Sequence, residues 1–283
     1  MKRPQEIQKS IHQVDTIVEL TGVFEGIASM RISQIKNQVL QSKDFFQELW
    51  RIYSQIRVDR SFNYGRNTKN GEVSDKELLI VITAEGGFSG DIDKMLIDWL
   101  VDQYDKEKHE IIVIGHHGAV MLSQRGIGIK RYFKLPVKDK NINVIPIIEE
   151  VQKYKTTTAY YQTYVSLMVQ DVKRISLMAA VQNAGKEATA GTEIISEENY
   201  IFEPNTYAVI DHLERSMLTI ALSQVILESK LAQYASRFRA MTAANDKAKE
   251  NSDDVHLQYN RAKRSLADER LKEIINGMKK ARA

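Results

Sequence analysis

The sequence predicts an α/β protein in which long N- and C-terminal helices pair as an antiparallel coiled coil around an inserted α/β domain. Three observations carry this reading: the placement of four prolines, an apolar stripe at heptad spacing near each end, and a change of hydrophobic period in the middle.

The prolines are Pro4, Pro136, Pro146 and Pro204. A helix accepts proline in its first turn but not in its interior, so Pro4 and Pro204 stand where two helices can begin. No further proline interrupts the chain from Pro4 to Gly65, nor from Asn205 onward. The N-terminal stretch carries apolar residues at alternating four and three spacing, from Ile7, Ile11, Val14 and Val18 through Ala28, Ile32 and Ile35 to Tyr53 and Ile56. The C-terminal stretch repeats it from Leu213 and Met217 through Leu227 and Leu231 to Tyr259, Ala262 and Leu266. Polar residues fall on that second seam at Gln224, Asn245 and Ser252, which weakens it but helps to fix its register. About 70 residues of helix at ~1.5 Å each would reach roughly 105 Å, far more than a compact domain needs. The two stripes are therefore expected to pack on each other.

Between them the period changes. Glu77 to Thr83 is a short β-branched run closed by the turn Glu85-Gly-Gly-Phe-Ser-Gly90, with helical spacing following from Ile92 to Tyr104. His109 to Gly115 is a second buried-strand run, so the order strand, glycine turn, helix, strand predicts a parallel sheet of Rossmann-like type. Asn143 to Ile148 is expected as a third strand, Thr158 to Arg174 as a helix and Ile175 to Val181 as a strand. Asn183 to Glu198 is a loop or a hairpin. The expected division is a helix over 1–62, the α/β domain over 76–200 and a helix over 204–283.

The chain has 283 residues, 43% of them hydrophobic, enough for a real core. It contains no cysteine, which excludes disulfides, thiolate metal sites and a cysteine nucleophile. A formal charge of +3, from 40 basic and 37 acidic side chains, is too balanced to point to nucleic acid. No apolar run approaches the roughly 20 residues of a spanning helix, and Met1 to Ser10 lacks the apolar core of a secretory signal. Any link to a membrane is expected to come through partners.

Gly86, Gly87 and Gly90 follow a strand, but they lack the Gly-Lys-Ser/Thr ending of a P-loop and the dinucleotide spacing. Their expected role is to let the backbone turn into a helix. His116 and His117 follow the second strand without an acidic cluster to complete a metal site, and are expected in a solvent-facing loop. No Ser-His-Asp set or carboxylate pair stands out. Basic residues gather late in the chain at Arg237, Arg239, Arg261, Lys263, Arg264 and Arg270, with Asp253, Asp254, Asp268 and Glu269 among them. They form either a solvated helix face or a surface for acidic protein loops.

In order along the chain, these segments resemble the gamma subunit family of F-type ATP synthases. Ile17 to Arg31 resembles the family's Ile-Thr-x-Ala-Met-x-x-Val-Ala, and Glu85-Gly-Gly-Phe-Ser-Gly-Asp-Ile-Asp93 its Asp-Arg-Gly-Leu-Cys-Gly-x-x-Asn. Phe202-Glu-Pro204 is similar to Tyr-Glu-Pro, and Ser236 to Asp246 resembles Ala-Arg-x-x-Ala-Met-x-x-Ala-Thr-x-Asn. Tyr259 to Lys263 and Glu273 to Gly277 continue the likeness. The departures are Gly22 and Phe24 for Lys and Met, Glu85-Gly86 for Asp-Arg, Asp93 for Asn, and Lys263, Arg264 and Asp268 for Arg, Gln and Thr.

The resemblance implies a central stalk without catalytic residues, metal or cofactor of its own, turning inside three alpha and three beta subunits. It would couple proton or sodium ion flow to ATP synthesis or hydrolysis. It implies partners in the alpha, beta and epsilon subunits and the membrane c-ring, no nucleic acid, and a peripheral place on the cytoplasmic side of a bacterial plasma membrane. Arg237, Lys263, Arg264 and Asp268 would meet the catalytic head, and Tyr200 and Glu203 the ring. The alternatives are a nucleotide-binding α/β enzyme dimerised by its coiled coil, an adaptor in an unrelated assembly, or the shaft of a variant F-type-like ATPase.

Overall fold

The computed structural model describes residues 4–55, 74–135, 142–177 and 201–282. Its elements are α1 (Pro4–Gln55), β1 (Ser74–Ile82), α2 (Ile92–Gln103), β2 (His109–Ile114), α3 (His116–Gln124), β3 (Arg131–Phe133), α4 (Ile145–Val151), β4 (Tyr154–Tyr164), β5 (Gln170–Ser176) and α5 (Thr206–Arg282). They group into two compact units, Met1–Ala28 with Phe238–Ala283, and Ser29–Arg237. Both long helices contribute to each unit.

In the first unit α1 and α5 run antiparallel along the expected seam. Asp15 accepts a hydrogen bond from Ser252 at 2.8 Å, Asn245 donates to the Val18 carbonyl at 2.8 Å and to Thr21 at 2.9 Å, and Thr242 donates to Glu25 at 2.9 Å. Numbers rise along one helix as they fall along the other. Seam residues Ile7, Ile11, Ala28, Met241, Ala248 and Ala262 are buried. Leu266, the last position of the expected seam, is 37% exposed, because α1 begins at Pro4 and offers it no described partner.

The second unit holds a five-stranded sheet in the order β3-β2-β1-β4-β5, parallel except for the β4–β5 hairpin. Side chains alternate along β1, so Leu78, Ile80 and Ile82 face one layer and Leu79 and Val81 the other. On the first face α4 supplies Ile147, Ile148 and Val151, and α5 supplies Leu222, Val225 and Ile226. On the second, α2 supplies Leu96, Ile97 and Leu100, and α3 supplies Leu122. Further along α5, Leu227 and Leu231 enclose Ile35 of α1.

Two sequence expectations in the middle block are corrected. Thr158 to Arg174 is not a helix but most of the β4–β5 hairpin. The Thr156-Thr-Thr-Ala-Tyr-Tyr-Gln-Thr-Tyr164 run that it shares with β4 is β-branched and aromatic, and pairing with β1 decides in favour of a strand. Asn143 to Ile148 is not a strand, since α4 occupies 145–151 with Pro146 in its first turn, where the missing N–H costs nothing. The expected strand from Ile175 ends at Ser176, while its residues 178–181, and the whole of Asn183 to Glu198, lie outside the described residues.

Candidate functional site

The strand ends, the glycine turn and one face of α5 converge within the second unit. Chain geometry fixes this corner. Gly115 joins β2 to α3 at φ +105°, and a Cβ there would lie 2.0 Å from the Thr83 carbonyl oxygen, so only glycine fits. The Gly118 amide donates to the Thr83 hydroxyl at 2.9 Å, closing α3 onto the end of β1. His116 and His117 accordingly open a helix, against the expectation of a loop.

His117 does not simply face solvent. Its Nδ1 lies 3.0 Å from Asp93, whose side chain is 4% exposed. Asp93 also accepts from the Ala84 amide at 3.3 Å and from the Gln162 amide at 2.7 Å. The hydrogen bond to Asp93 holds the His117 pKa above its usual value, against partial burial and the positive charge of Arg237, with Glu85 adding a small upward pull.

Gln162 on β4 is fully buried and carries the chain of bonds into α5. Its carbonyl oxygen accepts from the Ser229 hydroxyl at 2.5 Å and from the Gln233 amide at 3.3 Å. Ser229 and Gln233 also bond to each other at 3.0 Å. One turn further, Ser236 donates to the Ser89 carbonyl at 2.7 Å. Arg237 donates to the carbonyls of Gly87 at 3.2 Å and Gly86 at 3.3 Å, with its guanidinium 5.1 Å from the centre of the Tyr234 ring. Near the end of β4, Thr163 donates to Glu228 of α5.

The glycine turn therefore presents acceptors to a cation of its own chain. A phosphate cradle needs inward N–H donors, and the neighbouring Glu85 carboxylate is taken up by the amides of His116 at 3.2 Å and Leu135 at 3.1 Å and by the Tyr132 hydroxyl at 3.2 Å. Burial and that carboxylate push the Tyr132 pKa up.

The residues expected to meet partners are placed as follows. Arg237 lies at the turn just described. Lys263, Arg264 and Asp268 are exposed on α5 in the first unit, and among the described residues no ion pair joins Arg264 to Asp268. Glu203 is exposed just before α5, whose first turn is capped by Asn205, which accepts from the Ala208 amide at 2.9 Å. Tyr200 lies outside the described residues. Sequence reasoning missed Gln162, Ser229 and Gln233. The available signal was a polar stripe of Ser229, Gln233 and Ser236 on an otherwise apolar helix face.

On α1 of the first unit a second apolar stripe, Ile17, Leu20, Phe24 and Ile27, is exposed. It sits one residue before the seam positions Val18, Thr21, Glu25 and Ala28, hence about 100° around the helix.

A family model described as ATP synthase matches residues 3–280. The ATP synthase gamma chain of Mycoplasmoides gallisepticum is 24% identical over 296 residues, covering 99% of this chain and 100% of its own length. That of Chloroherpeton thalassium is 26% identical over 294 residues, covering 96% of each. Among solved structures, a chain of the Euglena gracilis mitochondrial ATP synthase OSCP/F1/c-ring assembly superposes with a TM-score of 0.66 at 14% identity, covering 97% of this chain and 94% of that one. A chain of the Tetrahymena thermophila mitochondrial ATP synthase central stalk/c-ring gives 0.56 at 17% identity, covering 80% and 99%. With a family match over nearly its full length, relatives matched end to end and the fold of a central stalk, the chain belongs to the ATP synthase gamma family.

Proposed function

We propose that this chain is the non-catalytic rotor shaft of a rotary ATP synthase, turning within a ring of alpha and beta subunits and coupling ion flow to ATP synthesis or hydrolysis. The observation that carries the reading is the second apolar stripe on α1. A helix already paired through its seam still exposes Ile17, Leu20, Phe24 and Ile27, as a shaft enclosed by other subunits requires. The basic and acidic side chains of Lys263, Arg264 and Asp268 add a polar grip on the catalytic head, joined by the part of Arg237 not spent on the glycine turn. Differential contact of such an asymmetric shaft with three otherwise equal sites is how it would hold them in different states.

No helix among the described residues is long and apolar enough to cross a membrane. Attachment would therefore run through the c-ring and the epsilon subunit, with Tyr200 and Glu203 at the ring, on the cytoplasmic face of the plasma membrane. Purification of the tagged chain from membranes tests the whole reading. Recovery of alpha, beta, epsilon and ring subunits together, with ATPase activity that the isolated chain lacks, is expected. Recovery of the chain alone, or hydrolysis by it alone, would refute it.

A further inference from the structure

We propose that the hydrogen-bond chain from Ser229 and Gln233 through Gln162 to Asp93 is an angular lock, positioning the α/β body on the C-terminal helix so that the two turn together. The proposal rests on the rotor reading above. It concerns what resists rotation of the body about the helix, for which apolar packing is a poor candidate. Burial of apolar area is non-directional, and the contact of Leu222, Val225 and Ile226 with the sheet opposes separation more than rotation.

Hydrogen bonds are directional and tolerate little misalignment. Here their polarity is also fixed. The Asp93 carboxylate only accepts, so Gln162 must turn its amide nitrogen toward Asp93 at 2.7 Å. Its carbonyl oxygen is then left to receive Ser229 at 2.5 Å and Gln233 at 3.3 Å. Asp93, Gln162, Ser229 and Gln233 are all at most 4% exposed. Rotation of α5 by a fraction of a turn would strand the buried Gln162 carbonyl oxygen and leave the buried Ser229 hydroxyl without its acceptor. Two further bonds from the same helix face point the same way, Ser236 to the Ser89 carbonyl at 2.7 Å and Arg237 to Gly87 at 3.2 Å. The helix thus holds β4 and the glycine turn through polar side chains spread over about two turns. Asp93, Arg237 and Glu85 are the charges that act on His117 beside this cluster, and Glu228 accepts from Thr163 next to Gln162.

The absence of native cysteine makes a direct test available. In the assembled complex, fixed through its catalytic head, a bead is tethered to a Lys106→Cys substitution on the exposed surface of the α/β body, and its angular fluctuation at a stalled position is recorded. Gln162→Leu and Ser229→Ala are expected to lose angular confinement of the bead while ATP hydrolysis by the head persists. Asp93→Asn, which keeps an acceptor for Gln162, is expected to retain confinement. Ser229→Ala removes only a hydroxyl and keeps the test open where Gln162→Leu fails to assemble. Unchanged confinement in assembled Ser229→Ala and Gln162→Leu complexes overturns the lock alone. Failure of the otherwise unaltered complex to turn the bead with ATP overturns the rotor reading and the lock with it.

Discussion

At Asp93 a carboxylate almost sealed from water meets an imidazole, and the sign of the coupling decides how stability moves with pH. The folded-state pKa of His117 is raised above its ordinary 6.5, so its contribution is fully present below 6.5 and fades as pH rises through the higher folded value. The melting temperature of His117→Ala should fall below that of the parent chain most at about pH 6 and converge with it toward about pH 9. An equal deficit at both ends would show that the ring acts by packing alone. Glu214 behaves in the opposite sense. Burial, with the nearby Asp211 charge, pushes its carboxyl up to about 7 from 4.5, and its Oε1 is buried without a hydrogen-bond partner. Ionising it therefore costs stability as pH rises from 4.5. After discounting for solvent screening, Glu214→Gln should stabilise the subunit by about 1 kcal/mol at pH ~8, shrinking as pH falls, in chemical denaturation. The sequence displays Asp93 where the family has Asn, but neither the His117 partnership nor the Glu214 strain, because both arise from residues brought together only by folding.

Among the elements, the long helices could be read from the sequence because their signal repeats over many turns with proline kept out. The β4–β5 hairpin could not, since its eleven- and seven-residue strands carry apolar groups that fit either period until β1 supplies the ladder. Asn245 shows what a polar seam residue does at this scale. Its amide reaches the Val18 carbonyl and the Thr21 hydroxyl, exchanging some apolar burial for a defined alignment. Replacement Asn245→Leu should leave the melting temperature equal or higher while loosening the register. Disulfide trapping between Glu25→Cys and Thr242→Cys reads this, since the parent residues touch at 2.9 Å. Trapping as efficient in the Asn245→Leu background as with Asn245 intact would show that register is set elsewhere.

For the whole molecule, the proposed grip on the catalytic head concentrates in exposed charges of α5. Lys263→Ala with Arg264→Ala should slow ATP-driven turnover of the assembled complex while leaving subunit folding and assembly intact. Turnover at the parent rate, with assembly verified, would place the grip on other residues. The fold class was legible because proline, heptad spacing and β-branched runs each act locally. The candidate site was legible only in its glycine turn, since Gln162 and Ser229 look ordinary until the end of β4 and the helix face meet.

The exposed stripe of Ile17, Leu20, Phe24 and Ile27 has a cost before any motor exists. A newly made copy presents this row of exposed oily side chains to solvent, and such rows are where chains stick to one another. If the proposed assembly holds it, supply of this subunit must keep step with supply of the subunits that would enclose it, and an orphan copy in excess becomes a substrate for chaperones and proteases.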